Sequence, residues 1–171
     1  MIKVFLIIFS IMFYFFITFI TNTLNIFYPY TNVLLSGIFI IVVFTIYFKK
    51  YNYALISYII FSLVFLFYRR KVSDNINSNF YLFEWLSLVF KNRIVLINLL
   101  GNLLLFMPYV FLIRSKYYLL IIICCILGLE IIQYITKRGV LDIVDIVLNI
   151  FGCMLVIPFR WRFYERRKEI Y

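Results

Sequence analysis

The chain has 171 residues, 66% of them hydrophobic and 22% aromatic, and a formal net charge of +10. A soluble domain is nearer half apolar, so this composition excludes a water-soluble globular fold, and the length leaves no room for a soluble domain beside the apolar runs. The basic residues stand between apolar runs and near the C-terminal end, which excludes a nucleic-acid-binding face and fits contact with anionic lipid, while the lack of histidine excludes a His-ligated metal or a histidine base.

Six apolar runs approach the ~20 residues that a helix needs to cross a ~30 Å hydrocarbon core. The first covers residues 4–20 and is expected to be an uncleaved span, because no small-x-small cleavage pattern follows it. Residues 21–32 form a short polar loop whose Tyr28, Pro29 and Tyr30 suit the membrane interface. The second run, 33–48, is stopped by Lys49 and Lys50, and the third, 54–67, by Arg69, Arg70 and Lys71. The third rises only ~21 Å, and Tyr53 and Tyr68 can extend it into the headgroup layer. The connector 72–93 opens polar and then reads FYLFEWLSLVF, too short to span. It is expected to lie in the interface as a helix anchored by Trp85, with a re-entrant segment as the alternative. Runs four, five and six cover 94–113, 119–135 and about 141–159, and the basic, aromatic tail 160–171 reads as a surface anchor.

The expected fold is therefore all-α, a polytopic transmembrane helical bundle of about six membrane spans with a short interfacial helix before span four. It divides into spans one to three and the connector (1–93), a core of spans four to six (94–159) and a basic cytoplasmic tail (160–171). Cys124, Cys125 and Cys153 lie in spans without the paired spacing of a zinc site and are expected to pack as small hydrophobes. With both termini cytoplasmic, Lys3, Lys49, Lys50, Arg114, Lys116 and the five basic tail residues lie inside, against seven basic residues outside. The chain is expected to be a multi-pass protein of the cell membrane in that orientation.

Almost all the intramembrane polar groups fall between Asn98 and Gly152. Antiparallel neighbours put the start of span four, the end of span five and the start of span six on one side. Asn98 and Asn102, then Glu130 and Gln133, then Asp142, Asp145 and Asn149 are thus expected to share one layer. Asp142, Asp145 and Asn149 stand at i, i+3 and i+7, on one helix face. Gly101 and Gly152 would let backbones approach closely, and Pro108 would kink its span. Arg138, in the turn between spans five and six, is the counter-charge at hand. An acidic residue at the centre of a membrane helix costs roughly 2.5–3.5 kcal/mol, and three carboxylates in one layer repel unless paired or protonated, so such groups read as a functional site. Plainer roles stand beside that reading. Asn98, Asn102 and Gln133 can be interhelical hydrogen-bond glue, Asp142 an N-cap, and Glu130 with Arg138 a structural ion pair.

The series NLLGNLLLFMP from Asn98 to Pro108, Glu130-Ile-Ile-Gln133, the basic turn with Arg138, and DIVDIVLNIFG from Asp142 to Gly152 resembles the VanZ-like family of bacterial membrane proteins. The resemblance covers roughly the second half of the chain and rests on Asn98, Gly101, Asn102, Phe106, Pro108, Glu130, Gln133, Arg138, Asp142, Asp145, Asn149 and Gly152. Tyr109 stands where the family has glycine, Leu141 where it has an aromatic residue, and Asn79–Phe83 lacks the proline of the family's upstream element. The resemblance implies a cell-envelope role, associated in the family's namesake with resistance to teicoplanin-type glycopeptides. It also implies a site that engages a cell-wall precursor or the drug, with the lipid bilayer as constant partner. No cofactor, metal or nucleic acid is expected. A membrane-embedded enzyme using Glu130 with Asp142 or Asp145 as acid and base, with a divalent cation on these oxygens, is an alternative. The chain has no recognisable nucleophile motif to favour it. A small transporter is another alternative, although no inverted repeat is visible.

Overall fold

The computed structural model describes residues 2–71 and 92–168, and the chain divides into two compact units, Met1–Val72 and Ser73–Tyr171. Helices occupy all six apolar runs, and the described residues contain no strand longer than an isolated bridge. The helix expected in the connector lies outside the described residues.

The first unit holds α1 (Ile2–Leu24), α2 (Thr31–Tyr47) and α3 (Tyr51–Phe67), with α2 packed against both others. In lipid no hydrophobic force separates helix from solvent, so packing and interhelical hydrogen bonds must hold neighbours together. Here one phenylalanine from each helix meets the other two. Phe13 stacks on Phe39 with centroids 3.6 Å apart, and Phe61 lies 6.0 Å from Phe13 and 6.2 Å from Phe39. Asn32 Nδ2 adds a bond to Thr18 Oγ1 at 3.1 Å, between α2 and α1. Past their ends α1 and α3 pair briefly: Phe27 bridges Arg69, and the Arg70 N–H donates to Ile26 O at 2.7 Å. The C-terminal ends of α1 and α3 therefore lie on one side of this unit.

The helices stop on left-handed residues that are not glycine: Asn25 (φ 49°) after α1 and Lys49 (φ 58°) after α2. The Lys49 N–H returns to Ile46 O and the Lys50 N–H to Thr45 O, a Schellman closure. The left-handed backbone costs roughly 1–2 kcal/mol for a residue with a Cβ, and the cation beside the carbonyl end of the helix recovers about 0.3–1 kcal/mol.

The second unit holds α4 (Arg93–Leu105), α5 (Met107–Leu112), α6 (Tyr118–Ile135) and α7 (Ile143–Lys168). Asn92 caps α4 by accepting from the Ile94 N–H at 2.9 Å. Pro108 has no N–H to return to Leu104 O, so the fourth apolar run is two helices parted at the buried Phe106, with Pro108 in the first turn of α5. The last helix does not end at 159. It runs on through Pro158 to Lys168, so the first part of the expected tail is a continuation of α7.

α7 packs against α4, α5 and α6, most extensively against α4. Gly152 faces the backbone of Leu103, and eight residues further along, Arg160 reaches Val110 and Ile113. Both contacts advance in the same direction, so α4–α5 and α7 run parallel. Among the described residues, four segments are long and apolar enough to cross a membrane: Leu6–Leu24, Arg93–Leu112, Tyr118–Ile135 and Ile143–Arg160. α2 and α3 are apolar and shorter, 17 residues each. The protein is an all-α membrane protein.

Candidate functional site

The turn between α6 and α7 sets the geometry of the polar region. α6 ends in a second Schellman closure, with the Arg138 N–H on Gln133 O at 2.9 Å and the Lys137 N–H on Tyr134 O at 3.1 Å. The left-handed residue is Lys137 (φ 54°) and not Gly139. Thr136 Oγ1 also donates to Ile132 O at 2.7 Å, a second bond to a carbonyl that already accepts from the Thr136 N–H. Asp142 then opens α7: its Oδ1 accepts from the Val144 N–H at 2.9 Å. This is the N-cap role, with the carboxylate at the positive end of the helix dipole.

Glu130, Gln133 and Asn149 are buried, at 7%, 4% and 2% exposure. Glu130 and Gln133 are i and i+3 on α6, so they share a face. Glu130 lies about 7.5 Å from the end of α6 and Asn149 about 9 Å from the start of α7, counted by helix rise. The turn joins those two ends, so the carboxylate and the amide stand at similar depth. Asp145 is half-buried in the first turn of α7, and Arg138 is half-buried in the turn. Among the described residues, Asn149 Oδ1 has no hydrogen-bond partner.

Not every residue expected in the layer joins it. Asn98 is exposed on α4 and Asn102 half-buried, whereas Leu105, on the same face one to two turns deeper, is buried. The face of α4 that carries the asparagines is thus covered at its deep end and open at its start. Gly101 lies on the open part, where an added Cβ would meet nothing within 4 Å. Gly152 is the opposite case. A Cβ there would overlap the carbonyl oxygen of Leu103 and lie 2.9 Å from its carbonyl carbon. The closest approach of α4 and α7 is therefore made by Gly152 alone of the two glycines. Among the described residues, no three acidic or sulfur side chains are placed to hold a metal ion together.

Arg160 is a functional-looking residue that sequence reasoning placed in the surface tail. Its guanidinium donates to Val110 O through Nη1 and to Ile113 O at 3.0 Å through Nη2, and lies 3.6 Å above the Tyr118 ring. It ties the end of α5 and the start of α6 to α7, at the end of the unit opposite the polar region. Cys153 is buried beside Gly152, while Cys124 and Cys125 are exposed on α6.

The sequence matches the family described as VanZ/LLP1 over residues 38–163. The match begins inside α2, so it takes in α3 and most of α2 as well as the motifs of the second half. No curated protein and no solved structure matches the chain. With well over half of its length covered, the chain belongs to the VanZ/LLP1 family.

Proposed function

We propose that this is a multi-pass protein of the bacterial cell membrane, both termini cytoplasmic, whose second unit binds a cell-envelope ligand at the outer leaflet. The ligand is a cell-wall precursor or a teicoplanin-type glycopeptide, and binding it contributes to glycopeptide resistance. The observation that carries the reading is the buried set Glu130, Gln133 and Asn149, with Asn149 Oδ1 left without a partner among the described residues. Groups of this kind are expensive in a membrane helix and are kept where they line a pathway or a binding site. The lysine and arginine balance supports placing the α6–α7 turn, with Lys137 and Arg138, outside. Membership of the family supports an envelope setting. Binding is favoured over turnover by the donor set, which has no histidine to serve as a base.

The test is a deletion strain profiled against cell-wall antibiotics and complemented with wild type or Glu130→Gln. Altered sensitivity restored by wild type but not by Glu130→Gln, at equal protein level, is the expected result. The same strain carries Arg138→Cys in a background without the other three cysteines. Labelling of that cysteine by a membrane-impermeant thiol reagent on intact cells is expected. Full complementation by Glu130→Gln sinks the site, and labelling only after cell lysis sinks the outward orientation.

A further inference from the structure

The first unit, Met1–Val72, carries six basic residues and no acidic one. The rest of the chain has no negative charge to spare, because it holds eleven basic residues against seven acidic ones. The six cations are divided between the two ends of the unit. Lys3 lies in the first turn of α1, and Lys49 and Lys50 join α2 to α3, so these three belong to one end. Arg69, Arg70 and Lys71 follow α3 and belong to the other, where α1 also ends.

The two ends carry equal charge and differ in construction. At the lysine end, Lys50 Nζ lies 6.0 Å from the centroid of the Tyr53 ring. At the arginine end the backbone is tied to α1: Phe27 bridges Arg69, and the Arg70 N–H donates to Ile26 O at 2.7 Å. The Tyr28 and Tyr68 rings lie 5.2 Å apart beside that tie. Tyrosine at the end of an apolar helix marks the headgroup layer, so the cations that directly follow Tyr68 stand at the level of lipid phosphates. Arg70 and Lys71 are exposed there. A guanidinium meets a phosphate through two parallel N–H bonds, a geometry an ammonium lacks. A backbone already held in place loses little further freedom when a headgroup docks on it.

We propose that Arg70 and Lys71, at the tie between α1 and α3, bind the phosphate of an anionic phospholipid headgroup. The site belongs to the first unit and is independent of the ligand proposed for the second.

The experiment uses the full chain in nanodiscs of mixed phosphatidylcholine and phosphatidylglycerol, with lipid retention read by native mass spectrometry. Wild type is expected to retain phosphatidylglycerol in preference to phosphatidylcholine. Arg70→Gln combined with Lys71→Gln should weaken that retention about tenfold or more, since each cation beside an anionic surface is worth about fivefold. Arg70→Lys should lose part of it, because the charge stays and the fork does not. Lys49→Asn combined with Lys50→Gln removes the same charge from the other end. It should leave retention within about twofold of wild type, because the rise of α3 puts the two ends about 25 Å apart, beyond the screening length in salt. Every variant keeps the Arg70 N–H, and equal melting in phosphatidylcholine alone checks that each folds. Equal retention of the two lipids by wild type overturns the proposal. So does an equal loss from both double variants, which would make net charge the cause and not a built site. Displacement of the lipid by soluble glycerol phosphate overturns the lipid as the source of the phosphate. Should the glutamine pair melt lower in phosphatidylcholine alone, the Arg70→Lys protein decides, and undiminished retention by it overturns the arginine's part.

Discussion

Gly152→Ala tests the contact on which the second unit is built. The added methyl would sit 2.9 Å from the carbonyl carbon of Leu103, against the ordinary carbon–carbon separation of about 3.5–4.0 Å, and nearer still to the carbonyl oxygen. Both obstacles are backbone atoms inside a helix, so no side-chain rotation relieves them. The carbonyl carbon alone requires α4 and α7 to part by roughly 0.6–1.1 Å, the nearer oxygen requires more, and a gap of even that size forfeits about a quarter to a half of each contact's dispersion attraction along the seam. Overpacking typically costs about 1–3 kcal/mol, and the most extensive seam of the unit belongs at the upper end. For a chain of this length, about 3 kcal/mol lowers Tm by roughly 6–12 °C. Cys153, buried next to Gly152, is the natural reporter. With Cys124 and Cys125 replaced by serine, a thiol-reactive dye reports the opening of this seam on heating. Gly101→Ala is the paired control. It meets nothing within 4 Å and gains helix propensity worth about 1 kcal/mol, so its Tm should rise by about 2–4 °C. A Gly152→Ala protein that melts within a degree of wild type, or a Gly101→Ala protein that is the less stable of the two, refutes the reasoning.

Two further substitutions separate scaffold from site. Asp142→Ala should lose about 1 kcal/mol with its N-cap bond, while Asp142→Asn, which keeps an acceptor, should melt close to wild type. If the asparagine variant falls as far as the alanine one, the negative charge and not the cap is what matters there. Arg160→Ala removes two charge-assisted bonds to carbonyls and the stack on Tyr118, and should lower Tm by more than Asp142→Ala. Arg160→Lys should recover less than half of that loss in the same melt, because an ammonium cannot reach both carbonyls while lying flat on the ring.

The helices were legible because the apolar runs are bounded by charges or by a short polar loop, and the burial of Glu130, Gln133 and Asn149 follows from placing amides and an acid among Leu and Ile. Depth along a membrane helix can be counted from sequence. Direction around it cannot, when every face is apolar and no hydrophobic stripe points inward. That is why Asn98 could be assigned to the layer and still prove exposed. The same lack of contrast hid the contact of Phe13, Phe39 and Phe61, since phenylalanines facing lipid and phenylalanines facing each other read alike. Glycine marks left-handed ends in general, but here Asn25, Lys49 and Lys137 take that backbone while Gly139 does not. Arg160 was counted as one more charge in a basic tail, because a charge count does not register two carbonyls and a ring brought together from other helices.

The parallel seam between α4 and α7 has a consequence in time. Its two sides are made far apart on the ribosome: Leu103 is synthesised first, and Gly152 follows after all of α5, α6 and the turn. At about 5–20 residues per second the interval is roughly 2–10 s. Throughout it α4 waits in the translocon or the bilayer with its half-polar face uncovered, and α6 arrives carrying Glu130 before any part of α7 is present to shield it. The second unit is therefore assembled by its last helix, which closes on partners that have been waiting for it. A change that loosens the seam between α4 and α7 is therefore felt by the whole unit.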